Sequence, residues 1–113
     1  MPAQNRHKFS YKIWIEDNGK PLLGKGGADI LEQIGKEKSI SMAAKKLGMS
    51  YRYVWNYLQK IEETAGEPVV KTFRGGKAGG GGAELTEFGK SLLGEYKHLE
   101  AHMSEIMAKR VWR

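Results

Sequence analysis

Residues 39–66 read SISMAAKKLGMSYRYVWNYLQKIEETAG, and this stretch decides the fold. Two helical patterns lie on either side of a glycine. The first has its apolar residues at Ala43, Ala44 and Leu47. The second repeats apolar residues three or four positions apart, and these are Val54, Leu58, Ile61 and Ala65. Because this spacing places the apolar side chains on one face, the stretch predicts two amphipathic helices joined by the turn LGMS.

Small polar residues and glycines mark the ends of these helices. Ser41 is suited to cap the first helix, and Ser50 is suited to cap the second. Gly48 can adopt the left-handed conformation that ends a helix, and Gly66 followed by Pro68 stops the second one. Two helices joined in this way form a helix-turn-helix, whose second helix lies in the major groove of DNA.

The charge of this stretch has one sign. The whole chain carries a formal net charge of +6, which favours an anionic partner. From Ser41 to Ile61 the charged residues are Lys45, Lys46, Arg52 and Lys60, with no acid among them. The last third of the chain mixes acids with bases. The basic face therefore belongs to the helix-turn-helix, as expected of a nucleic-acid surface.

A glycine-rich segment follows the second helix. Residues 69–73 (VVKTF) and 83–85 predict two short strands, joined by the loop RGGKAGGGG. We expect residues 69–85 to form a wing whose Arg74 and Lys77 reach the DNA backbone. A phosphate-binding loop is the alternative, but Ala78 stands where the nucleotide motif requires Ser or Thr, and no helix follows directly.

The last helix is predicted over residues 86–110, with Thr86 as its cap and Glu87 in its first turn. Its apolar residues recur at a nearly heptad spacing from Phe88 onward, which is typical of helices that pair. We expect the chain to form a homodimer through Leu92, Tyr96, Leu99, Met103 and Ile106.

The N-terminal region predicts a strand and a further helix. Residues 8–16 (KFSYKIWIE) alternate between two faces, which indicates a half-buried strand, and turn residues follow at 17–21. A helix from about Gly27 to Lys36 completes a three-helix core over 27–66. The 113 residues therefore predict one domain, mainly α with a small β component. Its fold is a winged helix-turn-helix with an N-terminal strand and a long C-terminal dimerisation helix.

Several classes of protein are disfavoured. The chain has no cysteine, no apolar run of about 18 residues and no signal-like N-terminus. We therefore expect a cytoplasmic protein that does not associate with a membrane. His98 and His102 have the spacing of metal ligands, but solvated histidines are the simpler interpretation. We find no catalytic constellation, and we expect no enzyme activity, metal or cofactor.

The candidate contact residues divide by chemistry. Arg52 can bond guanine, Asn56 can bond adenine, and Tyr53 is the third candidate for base contact. The candidates for phosphate contact are Ser41, Lys45, Lys60, Arg74 and Lys77. Ser50 and Tyr51 begin the second helix and are also placed at the DNA. Tyr51 and Trp55 could instead pack in the core, and this interpretation is favoured for Trp55.

The stretch from Ser39 to Leu85 resembles the DNA-binding region of LysR-type regulators, and LTEFG at 85–89 matches the segment that enters their linker helix. MSYRYVW at 49–55, GEPVV at 66–70 and GGKAGGGGAELTEFG at 75–89 resemble the N-terminal domain of ModE-type, molybdate-responsive regulators more closely. The resemblance implies a winged helix that binds palindromic operators as a dimer. Such regulators carry a molybdate-binding domain after this region. Because the sequence ends at Arg113, we expect no direct molybdate sensing.

Four functions are compared. The first is a sequence-specific regulator that binds duplex DNA as a homodimer, with no small-molecule effector evident. An architectural protein that coats DNA without sequence preference is the main alternative. The other two are a protein-interaction module that uses the last helix and an oxyanion-binding protein that uses the glycine loop.

Overall fold

The computed structural model describes residues 8–74 and 81–109. Within them, a β-hairpin is followed by three helices, a second β-hairpin and a fourth helix. The elements are β1 (Ile15–Asp17), β2 (Lys20–Leu23), α1 (Lys25–Glu37), α2 (Ile40–Leu47), α3 (Tyr51–Ala65), β3 (Val70–Phe73), β4 (Gly82–Leu85) and α4 (Glu87–Ala108). The mainly α winged helix-turn-helix predicted from the sequence is confirmed.

The hydrophobic core lies between the first three helices and the N-terminal half of α4. Most of the apolar residues that the periodicity predicts are at most 4% exposed: Ile30, Leu31 and Ile34 of α1, Ala43 and Ala44 of α2, and Val54, Leu58 and Ile61 of α3. Leu47 and Ala65, which belong to the same predicted faces, are half-buried and pack against this core. Burial of a side chain as large as leucine contributes about 1.5–3 kcal/mol. This face of α3 is therefore fixed inward, and its other face is left outward.

The turn between α2 and α3 follows the predicted chemistry. Gly48 ends α2 in the left-handed conformation, with φ of 70°. The hydroxyl of Ser50 accepts a hydrogen bond from the Tyr53 amide at 3.0 Å and so caps α3. The predicted cap of α2 is wrong: Ser39, not Ser41, accepts from the Met42 amide, at 3.1 Å. Helix α2 starts two residues earlier than predicted, because Ile40 is 4% exposed and must face the core.

The N-terminal strand is shorter than predicted. Only residues 15–17 pair, with Ile15 opposite Leu23 and Asp17 opposite Lys20. Asn18 and Gly19 form the two-residue turn, and both have positive φ. The prediction of a strand over residues 8–14 is wrong, because the partner strand β2 ends at Leu23, opposite Ile15, where the chain enters α1.

The wing is an antiparallel hairpin attached to the helical core. Its register runs from Val70 opposite Leu85 to Phe73 opposite Gly82. The amide of Ala83 donates to the Lys38 carbonyl at 3.0 Å, which holds β4 at the end of α1. A side chain at Gly82 would collide with the ring of Phe73. Lys77, predicted to reach the DNA backbone, lies outside the described residues.

Helix α4 is attached to the wing at its first turn. Thr86 accepts from the Gly89 amide at 2.9 Å, as predicted for a cap, and its hydroxyl donates to the Pro68 carbonyl at 2.8 Å. Leu92 and Tyr96 are only 4% and 3% exposed within the single chain. They belong to the chain's own core, so their assignment to the dimer interface is wrong. Leu99 and Ile106 are exposed, and Met103 is half-buried.

Candidate nucleic-acid interface

The outward face of α3 carries the predicted base-contacting residues. Arg52, Tyr53 and Asn56 are all exposed, as is the capping residue Ser50. They alternate along the helix with the buried Val54, Leu58 and Ile61. Because α3 is anchored by that buried face, its long polar side chains are presented together on a rigid element.

Three of the four cations of α2 and α3 have no acidic partner among the described residues. Lys45, Arg52 and Lys60 are exposed and form no ion pair with the residues that the structure describes. Lys46, by comparison, lies 4.0 Å from the Glu37 carboxylate. An unpaired cation keeps its attraction for an external anion, so the positive potential here is available to phosphate groups.

A cleft of about 400 Å³ separates the starts of α2 and α3 from the wing. Ser41, Tyr51 and Arg74 line it, although they come from three different stretches of the sequence. At the start of α2, the Ser39 hydroxyl and carbonyl accept the amides of Met42 and Ala43. The amides of Ile40 and Ser41, which precede Met42, have no hydrogen-bond acceptor among the described residues. A helix start with free amides of this kind attracts anions.

Lys60 and Lys45 lie outside this cleft. Lys60 sits in the third turn of α3, where it borders Pro21 and Leu22 of β2. Lys45 lies in the last turn of α2. Of the predicted contact residues that lie in the described ranges, the structure brings Ser41, Tyr51 and Arg74 into one cleft, and the two lysines lie on the surface outside it.

The sequence did not decide whether Tyr51 and Trp55 pack in the core, and the structure places neither of them there. Tyr51 is 51% exposed and faces the cleft. Trp55 is 40% exposed and borders Val70 and Thr72 of the wing, so the favoured interpretation of Trp55 as a core residue is wrong. One turn separates the two residues, and this places both on the flank of α3 that faces β3 rather than α1.

Two exposed apolar residues were missed by the sequence reasoning. Met42 in the first turn of α2 is 42% exposed, and Phe73 at the end of β3 is 51% exposed. Phe73 lines the same cleft as Arg74. The signal for Phe73 was its place at the last position of a strand beside the basic loop, where a ring can contact a sugar or a thymine methyl group.

Other kinds of site find little support in the described residues. Within 8–74 and 81–109, no group of three or more histidine, cysteine or acidic side chains could hold a metal ion. His98 and His102 lie edge to face, with ring centroids 6.2 Å apart, on the exposed half of α4. None of the helices in these two ranges is long and apolar enough to cross a membrane.

Curated relatives with sequence similarity are molybdenum-related proteins. The chain is 37% identical over 86 residues to the molybdenum-pterin-binding protein MopB of Rhodobacter capsulatus, covering 76% of this chain and 32% of that protein. It is 38% identical over 93 residues to the molybdenum transport protein ModE of Azotobacter vinelandii, covering 82% and 34%. The chain thus spans about a third of the length of these relatives, and the predicted resemblance to the ModE-type DNA-binding domain is confirmed.

Solved structures share the fold at lower identity. The DNA-binding domain of BenM in a complex with catB site 1 DNA matches with a TM-score of 0.55 and 18% identity, over 72% of this chain and 83% of that one. ArgP from Mycobacterium tuberculosis matches with a TM-score of 0.56 and 21% identity, over 73% and 28%. At these identities the likeness shows the fold alone.

A family model covers the same elements. The model for bacterial regulatory helix-turn-helix proteins of the lysR family matches residues 28–90. This range contains most of α1, all of α2 and α3, the wing and the capped start of α4, and it exceeds half of the 113 residues. The chain therefore belongs to the lysR family of bacterial regulatory helix-turn-helix proteins.

Proposed function

We propose that this protein is a sequence-specific transcriptional regulator that binds duplex DNA as a homodimer in the bacterial cytoplasm. Helix α3 enters the major groove, and the glycine-rich wing follows the backbone. The observation that carries the proposal is the exposed, acid-free start of α3 beside a cleft that is lined by phosphate-binding groups from α2 and the wing.

Three residues on the outward face of α3 read the bases. Arg52 presents a planar donor pair that matches guanine, and Asn56, one turn later, matches adenine. Tyr53 lies between them in sequence and is 53% exposed. Ser50 and Tyr51 come one step earlier, at the helix start that lies closest to the groove in this class of motif.

The backbone contacts come from the surfaces around α3. Ser41 and Arg74 line the same cleft, and each can donate a hydrogen bond to a phosphate group there. Lys45 and Lys60 contribute attraction that does not depend on sequence. Lys77 in the glycine-rich loop of the wing extends these contacts along the strand.

The relatives support a role in regulation. The ModE protein of Escherichia coli K12, a DNA-binding transcriptional dual regulator, is 37% identical over 67 residues, which is 59% of this chain and 25% of that protein. The DNA-binding domain of BenM, which shares the fold, was solved in a complex with catB site 1 DNA. By this similarity, the present chain supplies the DNA-binding part of a regulator.

A dimer is supported by the outer part of α4. Leu99 and Ile106 are about half exposed and lie seven residues apart, with the half-buried Met103 between them. This heptad seam gives a second copy an apolar surface to cover. Two copies related by a twofold axis would place two α3 helices on a palindromic site.

The test compares DNA from the protein's own promoter region with scrambled DNA by fluorescence anisotropy over a salt series. We expect promoter DNA to bind roughly 10³-fold more tightly than scrambled DNA. Equal and steeply salt-dependent affinities would contradict the proposal and indicate an architectural protein. Absence of binding to either DNA would remove the roles given to α3 and the wing.

Variants separate base contacts from phosphate contacts. Arg52→Ala should cost about 1–3 kcal/mol at one base position and relax specificity there, whereas Arg74→Ala should weaken all sequences alike and lower the salt slope by about one. Lys109→Ala, which removes the same charge at the far end of α4, is the matched control. A uniform loss in Arg52→Ala would assign that residue to the phosphates instead.

A further inference from the structure

A second cavity lies between the N-terminal segment, the start of α1, α3 and α4. Its volume is about 640 Å³, within the range of small-molecule sites. Four aromatic residues from three separate parts of the chain line it, namely Tyr11, Trp14, Tyr57 and Tyr96. None of these contributes to the contacts assigned to DNA, so the cavity has no role in the proposed function.

Tyr96 lines this cavity, and its hydroxyl is available as a hydrogen-bond donor. The residue is 3% exposed, yet its hydroxyl forms no hydrogen bond with any residue in the described ranges. Burial, followed by the nearby Glu100 carboxylate, raises the pKa of Tyr96, so the hydroxyl keeps its proton at neutral pH. No fully buried side-chain oxygen or nitrogen in the described ranges lacks a partner, so this unpartnered hydroxyl is accessible to solvent and, in the cavity lining, to a ligand.

The start of α1 forms the positive wall of the cavity. Gly24 caps α1 without a side-chain hydrogen bond, and the first turn contains no acidic residue. Gly24 and Gly26 both line the cavity, so their lack of side chains lets a ligand approach the backbone amides. Lys25 adds an exposed ammonium group, which lies 3.1 Å from the Asp29 carboxylate and can turn toward a ligand.

The opposite wall adjoins α3. The Tyr57 hydroxyl accepts a hydrogen bond from the Gly27 amide, and its burial raises its pKa. Its ring lies edge to face with Tyr53, with centroids 6.1 Å apart. Tyr57 is thus the residue of α3 that lines the cavity. It also contacts Tyr53, which lies on the outward face of α3.

We propose that this cavity is a binding site for small planar aromatic carboxylates. The flat ring lies among the aromatic side chains, where ring contacts contribute beyond area alone. The carboxylate lies at the start of α1 and accepts from the backbone amides, from Lys25 and from the Tyr96 hydroxyl. Glu100, the acidic residue of the lining, disfavours a second negative charge on the ligand.

The first test uses 2-naphthoate with the full chain and no DNA, so its result does not depend on the proposed function. Titration followed by two-dimensional NMR should shift the indole signal of Trp14, which donates to Glu16 at 2.9 Å, and leave Trp55 unchanged. Neutral 2-naphthamide and non-aromatic cyclohexanecarboxylate should each bind about tenfold more weakly. Equal affinity for the acid and the amide, or a shift at Trp55 in place of Trp14, would overturn the proposal.

Two variants test the contacts by calorimetry. Tyr96→Phe removes only the hydroxyl and should weaken 2-naphthoate about five- to tenfold while the protein stays folded. Lys25→Gln should weaken it about threefold or more, whereas Lys36→Gln on the same helix should leave it unchanged. Unaltered affinity in both Tyr96→Phe and Lys25→Gln would show that the ligand does not use this cavity.

Discussion

The two halves of α4 have the same sequence pattern and different surroundings. In the first half, Leu92 and Tyr96 are at most 4% exposed and pack into the chain's own core. In the second half, Leu99, Met103 and Ile106 continue the spacing of three or four residues, but Leu99 and Ile106 are 50% and 48% exposed. A near-heptad pattern therefore identifies the face of a helix that needs a partner, but it does not say whether the partner belongs to the same chain.

The length of the neighbouring helix explains the difference. Helix α4 has 22 residues, whereas α1, which lies against its first half, has 13. The first residue of α1, Lys25, lies near Tyr96 and Glu100. The later turns of α4 extend past this end of α1, and there Leu99 and Ile106 are about half exposed within the described residues. The exposed half is thus the part that a second copy can cover.

The largest effect should come from the buried half. Leu92→Ala removes a core side chain that is 4% exposed and should reduce the free energy of unfolding by about 2–5 kcal/mol. Urea denaturation followed by circular dichroism measures the change. A loss below about 1 kcal/mol would show that the first half of α4 is not part of the core.

A charge on the exposed half should act on association. Ile106→Lys places a cation on the proposed seam and should raise the dimer dissociation constant about ten- to a hundredfold, without loss of helix content. Sedimentation equilibrium measures the constant, and Ala108→Lys, which adds the same charge at an exposed position on the opposite face of the helix, is the control. An unchanged dimer would place the interface elsewhere.

Local chemistry was sufficient to predict the helix-turn-helix and the wing. Ser50 and Gly48 have the conformations that their residue types favour, because caps depend on neighbours within one turn. The buried faces of α1 to α3 also followed from periodicity. The family resemblance added the order of these elements, which periodicity alone does not give.

Features that depend on distant partners were not predictable. Residues 8–14 alternate like a strand, but the partner strand is too short to pair with them. Ser39 and Ser41 are equally good caps, and only the need to bury Ile40 selects between them. Likewise, the exposed position of Trp55 depends on where the wing lies relative to α3. The cleft and the aromatic cavity each join separate stretches of sequence, so no local pattern indicates them.

A smaller effect is expected at the boundary between the two halves of α4. Glu32 of α1 accepts a hydrogen bond from Lys97 at 3.0 Å, and Lys97 and Lys36 hold the pKa of Glu32 below its ordinary value of 4.5. Because the pKa is lowered by folding, this stabilisation is present above about pH 4.5 and is lost as the pH falls through the lowered pKa.

The variant Glu32→Gln should therefore lower the free energy of unfolding at pH 7 by about 0.2–1 kcal/mol, as is typical of exposed pairs. Its difference from the parent protein should disappear in acid. Denaturation at a series of pH values measures both quantities. A difference that persists below pH 3 would show that Glu32 acts through packing rather than through charge.

The smallest effect should be that of Leu99→Ala in the dissociated protein. Leu99 lies seven residues after the buried Leu92, yet half of its surface is exposed, so truncation in the Ile106→Lys background should change the free energy of unfolding by less than about 0.5 kcal/mol. The same truncation in the parent protein should cost more, because in the proposed dimer a second copy covers Leu99. Urea denaturation of both forms gives the two values, and the excess in the parent measures what the second copy contributes. Equal losses in the two backgrounds would mean that this half of α4 remains uncovered in the dimer as well.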